Sequence, residues 1–240
     1  MSTAIALDSL QAETLREAYR FRIAVAEEFE QLPVFSDAPC QAVEVLDALA
    51  TEHEYLEPIP LYGDRVCYKL AARFSRDFAC DFDSSRPLKE RDKIKAYSML
   101  RFCVSDSDTR RQALTAIDFD QHFPQFCTEP VAKNRPLYRN YYLSPPKLGV
   151  LRIDHGGEGH WKRILTAIQR DLQKHRSIPA YQKLIEDDGF ELAVVTMFES
   201  KAKRIRDELT DQLLLQRVPL RVLAVPELLN LISPPPLDSL

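Results

Sequence analysis

The 240-residue chain has little of what marks secreted, membrane or zinc-binding proteins. It has five cysteines, none in a C-x-x-C pair, so neither a disulfide framework nor a zinc finger is expected. It has no run of about 18 apolar residues, and its N-terminus lacks the basic start and apolar core of a signal peptide. With 45% hydrophobic and 28% charged residues, the composition predicts a folded cytoplasmic protein without membrane contact.

Charge is distributed unevenly, although the formal net charge is only −4. Residues 1–60 contain twelve acidic and three basic residues. Residues 61–101 contain six acidic and ten basic residues, and residues 131–180 contain three acidic and ten basic residues. The two basic segments are either ordinary solvated surface or parts of one phosphate-binding face.

The first half has the element order of a winged helix, a common DNA-binding module. Apolar residues at helical spacing predict the helices, and Pro33 prevents the first helix from continuing. Gly63-Asp64 forms the turn of the predicted hairpin, or wing. The predicted elements are a helix over 9–31, a helix over 38–54 with Asp37 as its N-cap, strands over 55–62 and 65–70, and a short helix over 71–79.

The second predicted helix is acidic, which opposes its insertion into DNA. It carries Glu44, Asp47, Glu52 and Glu54, and neither lysine nor arginine. The expected DNA contacts of this half are therefore on the wing and its flank: Arg65, Lys69, Arg73 and Arg76. A winged-helix module that binds protein remains the alternative.

The rest of the chain changes from helical to α/β. The predicted elements are helices over 88–104 and 110–116, strands over 137–143 and 148–153, a helix over 160–174 extended over 181–186, a strand over 190–197, a helix over 199–215, a strand over 220–225 and a short helix from Pro226. The expected fold class is α+β or α/β, with a helical winged-helix domain (1–80), a helical connector (81–136), a small α/β domain (137–232) and a flexible tail (233–240).

A glycine-rich loop over 154–160 lies between a strand and a helix, where sites form in α/β sheets. Asp154, His155, Glu158 and His160 are candidate ligands of a divalent metal, and His155 with Asp154 is a candidate general base. Asp154, Glu158 and Lys162 are the candidates for a metal-dependent nuclease. The favoured interpretation is that Asp154 and Glu158 cap the following helix and complement its dipole.

The layout resembles the replication-relaxation family of bacterial plasmids and integrative elements. The stretches that carry this resemblance are Tyr55-Leu56-Glu57 with Val66–Leu70, Leu151–Gly156, and Phe190–Thr196 with the helix from Glu199. The resemblance implies a winged helix joined to a domain similar to PD-(D/E)-x-K nucleases. Two departures, Ser144–Lys147 in place of Pro-Asp and Arg152-Ile153-Asp154 in place of Glu-x-Lys, imply that cleavage has been lost.

The expected function is that of a non-catalytic, DNA-associated accessory protein in replication, relaxation or conjugative transfer of a mobile element. It would bind double-stranded DNA, and a relaxase or replication protein is the expected protein partner. No metal or cofactor is expected unless the nuclease alternative holds, which would need Mg²⁺. A homodimer through the first helix is left open. Besides the wing, the expected phosphate contacts are Lys133, Arg135, Arg139, Lys147, Lys162 and Arg163.

Overall fold

A computed structural model of the chain describes residues 7–78, 86–106, 110–126, 140–214 and 217–232. These residues form two compact units, one containing the described residues up to 106 together with 229–232, and the other containing 110–228. Both units combine helices with a β-sheet, which confirms a mixed α and β fold. Within the ranges just given, every helix is too short or too polar to cross a membrane.

The first unit places helices around a small antiparallel sheet. Asp8 and Gln11 form a capping box at the start of its first helix. Arg22 adopts a left-handed conformation (φ 67°) and ends that helix. The elements are α1 (Ser9–Phe21), β1 (Ile23–Ala24), α2 (Ala26–Phe29), α3 (Ala42–Thr51), β2 (Leu56–Tyr62), β3 (Arg65–Leu70), α4 (Ala72–Asp77) and α5 (Glu90–Val104).

The three strands are antiparallel in the order β1-β3-β2, so the last strand along the chain lies in the middle. The predicted hairpin and its turn at Gly63 are confirmed. Leu15, Ala18 and Phe21 of α1 are buried. This part of the apolar face of α1 therefore packs inside the protein, and the homodimer stays a prediction.

The second unit contains a five-stranded mixed sheet in the order β4-β5-β6-β7-β8. The strands β4, β5 and β6 are antiparallel, whereas β6, β7 and β8 are parallel. Parallel neighbours require crossovers, which α7 and α9 supply. The elements are β4 (Gln112–Ala113), α6 (Ala116–His122), β5 (Tyr141–Ser144), β6 (Lys147–Ile153), α7 (Trp161–Arg176), α8 (Pro179–Glu186), β7 (Phe190–Thr196), α9 (Glu199–Leu214) and β8 (Leu220–Ala224). The last helix, α10 (Leu228–Ile232), follows, and its residues 229–232 belong to the first unit.

Helices cover one face of this sheet and form the core of the unit. Ile164, Ile168 and Leu172 of α7 lie in one apolar cluster with side chains of α8, α9 and the strands. These contacts fix the inner side of α7, and its outer side faces solvent.

On β6, Gly149 leaves room for the ring of Tyr142, since a Cβ there would lie 2.0 Å from a ring carbon.

Two expectations about the helices were wrong. The helix predicted over 9–31 is two helices, because Arg22 breaks it and Ile23 and Ala24 pair with β3. The helical turns predicted over 110–116 are absent: Gln112 and Ala113 instead pair with β5. Within the range predicted as a connector, α5 belongs to the first unit, whereas β4 and α6 belong to the second.

Candidate nucleic-acid interface

The carboxyl ends of β6 and β7 meet at one edge of the second sheet, as the parallel pairing requires. Asp154 follows β6 there, and Thr196 ends β7. Lys201, in the first turn of α9, is fully buried, and its Nζ lies 2.5 Å from Oδ2 of Asp154. Sequence analysis did not identify Lys201 because it follows Asp154 by 47 positions and belongs to no motif.

Asp154 and Lys201 have internal hydrogen-bond partners at this edge besides each other. The ammonium group of Lys201 also donates to the carbonyl oxygens of Gly156 and Gly157, each at 3.0 Å. The other carboxylate oxygen of Asp154 accepts from the backbone N–H of Gly156 at 3.1 Å, and the Thr196 hydroxyl lies 3.4 Å from Oδ2. The cluster ties the glycine-rich loop to α9 and fixes the start of α7.

The other nuclease candidates, Glu158 and Lys162, make no hydrogen bond or ion pair with Asp154 or Lys201 among the described residues. Glu158 is exposed and accepts a hydrogen bond from the hydroxyl of Ser200. Lys162 is also exposed, with its Nζ 5.6 Å from the ring centre of Trp161. Among the residues that the structure describes, no group of three or more histidine, cysteine, aspartate or glutamate side chains is arranged to hold a metal ion.

The outer side of α7 carries cations and neutral polar side chains. Lys162, Arg163, Arg170, Lys174 and Arg176 are exposed. The single acidic residue of the helix, Asp171, is partly buried and ion-paired to Arg152 of β6, with Nε 2.8 Å from Oδ2. The outer side of α7 therefore presents positive charge without an exposed carboxylate.

Sequence analysis identified Lys162 and Arg163 but missed Arg170 and Lys174. The signal was present in the sequence: with Ile164, Ile168 and Leu172 facing inward, residues 170 and 174 must lie on the opposite side of a continuous helix. Of the other predicted phosphate contacts in this half, Lys147 is partly buried at the start of β6. Lys133, Arg135 and Arg139 lie outside the described residues.

The inner side of α7 ends in a buried hydrogen-bond network. His175 Nδ1 donates to the backbone oxygen of Asp171 at 2.6 Å, so Nε2 accepts from the hydroxyl of Tyr141 at 3.2 Å. The hydroxyl of Tyr181 donates in turn to that of Tyr141 at 3.0 Å. Burial lowers the pKa of His175 and raises that of Tyr141, so both side chains are neutral near pH 7.

The wing cations are used inside the first unit. Arg65 Nη2 lies 2.9 Å from the buried carboxylate of Glu28 and 3.1 Å from the exposed carboxylate of Glu27. Its Nη1 donates to the hydroxyls of Tyr62 and Tyr97, at 2.6 and 2.9 Å. Burial by itself would lower the pKa of Arg65, but these hydrogen bonds and the charge of Glu28 raise it overall. Arg65 thus connects the hairpin to α2 and α5.

Of the three other predicted wing contacts, two are also ion-paired to carboxylates and the third is exposed. Lys69 is buried, with Nζ 2.6 Å from a carboxylate oxygen of Glu57. Arg73 is ion-paired to Glu54 at 3.3 Å and to Asp77 at 3.4 Å, and lies over the ring of Tyr55. Arg76 is exposed.

Comparison of the chain with family models, with curated proteins and with solved structures finds no match. The resemblance to the replication-relaxation family therefore stays a prediction.

Proposed function

We propose that the protein is a DNA-associated accessory protein that binds duplex DNA by its phosphates, chiefly through α7. The outer face of α7 carries this proposal. Lys162, Arg163, Arg170 and Lys174 are exposed there, and within the described ranges none of the four makes an ion pair. Cations without carboxylate partners release counterions from DNA when they bind phosphates, which favours association at low salt.

The proposal is one of binding without cleavage. Both oxygens of Asp154 already accept hydrogen bonds, and all three N–H groups of Lys201 have acceptors. A metal-dependent nuclease would need a carboxylate free to hold Mg²⁺ and a base or lysine free to orient water. The nuclease alternative centred on Asp154 would require this cluster to open.

The proposed function includes a role in the replication, relaxation or transfer of a plasmid or integrative element. This part of the proposal depends on the resemblance to the replication-relaxation family. The element order of the first unit and its β1-β3-β2 sheet support the winged-helix assignment. The antiparallel hairpin β5-β6 followed by a helical crossover to the parallel strand β7 supports the nuclease-like assignment. A relaxase or replication protein remains the proposed partner.

The test is binding to a 30-base-pair fluorescent duplex at about 50 and 200 mM salt. A triple variant, K162Q/R163Q/K174Q, removes three cations from α7. The expected loss of affinity is about tenfold or more, and the salt slope should fall by about 0.9 for each lost phosphate contact. The matched control is R16Q/K89Q/R91Q, which removes three exposed cations from the first unit and should leave affinity within about twofold.

Equal loss in the two triple variants would mean that net charge, not α7, determines binding, and would reject the proposal. Absence of salt-sensitive binding by the unmodified protein would reject it outright. A parallel incubation with Mg²⁺ tests cleavage. Cleavage that disappears in D154N would replace the binding proposal with the nuclease alternative.

A second candidate, a protein-interaction module, is favoured by the exposed face of α3. Glu44 and Asp47 are exposed on this face beside Val43, and α3 contains neither lysine nor arginine. Such a face favours a basic partner. Titration with a fluorescent octa-arginine peptide tests this candidate. E44Q is expected to weaken binding, and unchanged binding would remove the candidate.

A further inference from the structure

The outer face of α7 has two kinds of side chain in a fixed arrangement. Thr166, Arg170 and Gln173 occupy positions i, i+4 and i+7, which share one side of a helix, and all three are exposed. This stripe lies opposite the buried residues Ile164, Ile168 and Leu172. Cations stand near its two ends: Lys162 and Arg163 at the start of the helix, and Lys174 towards its end.

The middle of this stripe is suited to contacts more specific than attraction to phosphate. Gln173 lies on the same side of the helix as the cations but is uncharged, so it adds no electrostatic attraction to phosphate. Within the described part of the chain, the side chains of Arg170 and Gln173 make no hydrogen bond or ion pair, so their donors and acceptors face solvent. Arginine pairs with guanine O6 and N7, and glutamine with adenine N6 and N7, each through two hydrogen bonds.

The helix presents these side chains from a fixed support. The Arg152–Asp171 ion pair holds it to β6, and His175 holds its last turn through Tyr141 of β5. Its 16 residues span about 24 Å, and the major groove of B-form DNA is about 12 Å wide and admits an α-helix. The major groove of duplex RNA is deep and narrow, and side chains cannot reach its bases.

We infer that α7 lies in the major groove of duplex DNA and that Arg170 and Gln173 contact base edges there. Lys162, Arg163 and Lys174 hold the flanking phosphates. This inference rests on the proposed function and adds a sequence preference to it: a guanine opposite Arg170 and an adenine opposite Gln173.

The experiment is selection of bound duplexes from a pool with a random 20-base-pair core, followed by sequencing. The unmodified protein is expected to enrich one motif. R170K keeps the positive charge and Q173A removes no charge, so neither substitution reduces the attraction of α7 to phosphate. Each is expected to reduce preference at one base of the motif by about tenfold. The control Q182A, at an exposed glutamine of α8, is expected to keep the full motif.

The outcomes separate this inference from the proposed function. Salt-sensitive binding without an enriched motif would overturn the inference and leave the proposed function standing. A motif that neither R170K nor Q173A alters would overturn it in the same way, as would equally tight binding of duplex RNA. Absence of salt-sensitive binding to any duplex would overturn both.

Discussion

The wing of the first unit and helix α7 of the second unit use their cations in opposite ways. In the first unit, Arg65, Lys69 and Arg73 lie against the carboxylates of Glu28, Glu57 and Glu54. In the second, the cations of α7 face solvent, and its one acidic residue is paired to a strand. The number of basic residues in a segment therefore does not predict phosphate binding. The carboxylates that the fold brings beside them decide whether those cations are free.

The largest effect in this comparison is expected at Lys201, the buried cation of the second unit. K201M would leave Asp154 without its counter-charge and two carbonyl oxygens without donors, at a cost of about 3–5 kcal/mol in the free energy of unfolding. Trp161, the single tryptophan of the chain, lies at the start of α7, so its fluorescence during urea unfolding reports on this unit.

The control for this measurement is K203M, which replaces an exposed lysine of the same helix and should change stability by less than about 0.5 kcal/mol. If K201M cost no more than K203M, the cluster at the carboxyl edge would not stabilise the unit.

A smaller effect is expected at Arg65, whose role in the first unit is structural. R65Q would deprive the buried Glu28 carboxylate of its closest cation, at a cost of about 2 kcal/mol. Hydrogen exchange of peptides from β3 and α5 should accelerate, while affinity for DNA should stay within about twofold. The matched variant R76Q, at an exposed wing position, should alter neither property. A large loss of DNA affinity in folded R65Q would restore the wing as the contact surface.

The smallest effect is expected from pH. The pKa of His175 in the folded protein lies below its ordinary value of 6.5, because burial disfavours the charged ring. As pH falls, the unfolded chain therefore takes up a proton at His175 before the folded protein does. The neutral, buried His175 stabilises the fold fully above about pH 6.5, and this stabilisation is lost as pH falls towards the folded pKa. Tryptophan-monitored unfolding at pH 7.5 and 5.5 measures it. H175Q should lose less stability than the unmodified protein over this interval, and an equal loss would contradict the assignment.

Sequence patterns predicted the elements that have clear apolar patterns. They failed where contacts between distant parts of the chain determine the local structure. The strands β6 and β7 and the helices α7 and α9 were predicted within two residues of their observed bounds, because apolar runs indicate the strands and apolar residues at helical spacing indicate the helices. The break at Arg22 was not predicted, since it depends on pairing between β1 and β3, whose paired residues are 44 and 46 positions apart. Lys201 was missed for the same reason: its partners lie on another element, and only the parallel sheet brings them together.

Lysine acetylation with and without duplex DNA measures whether α7 or the wing contacts the DNA. Lys162 and Lys174 of α7 are exposed, as is Lys89 of the first unit, so all three should react in the free protein. Duplex DNA should slow acetylation of Lys162 and Lys174 several-fold and leave that of Lys89 unchanged. Protection confined to lysines of the first unit, with both α7 lysines still reactive, would contradict the proposed contact through α7.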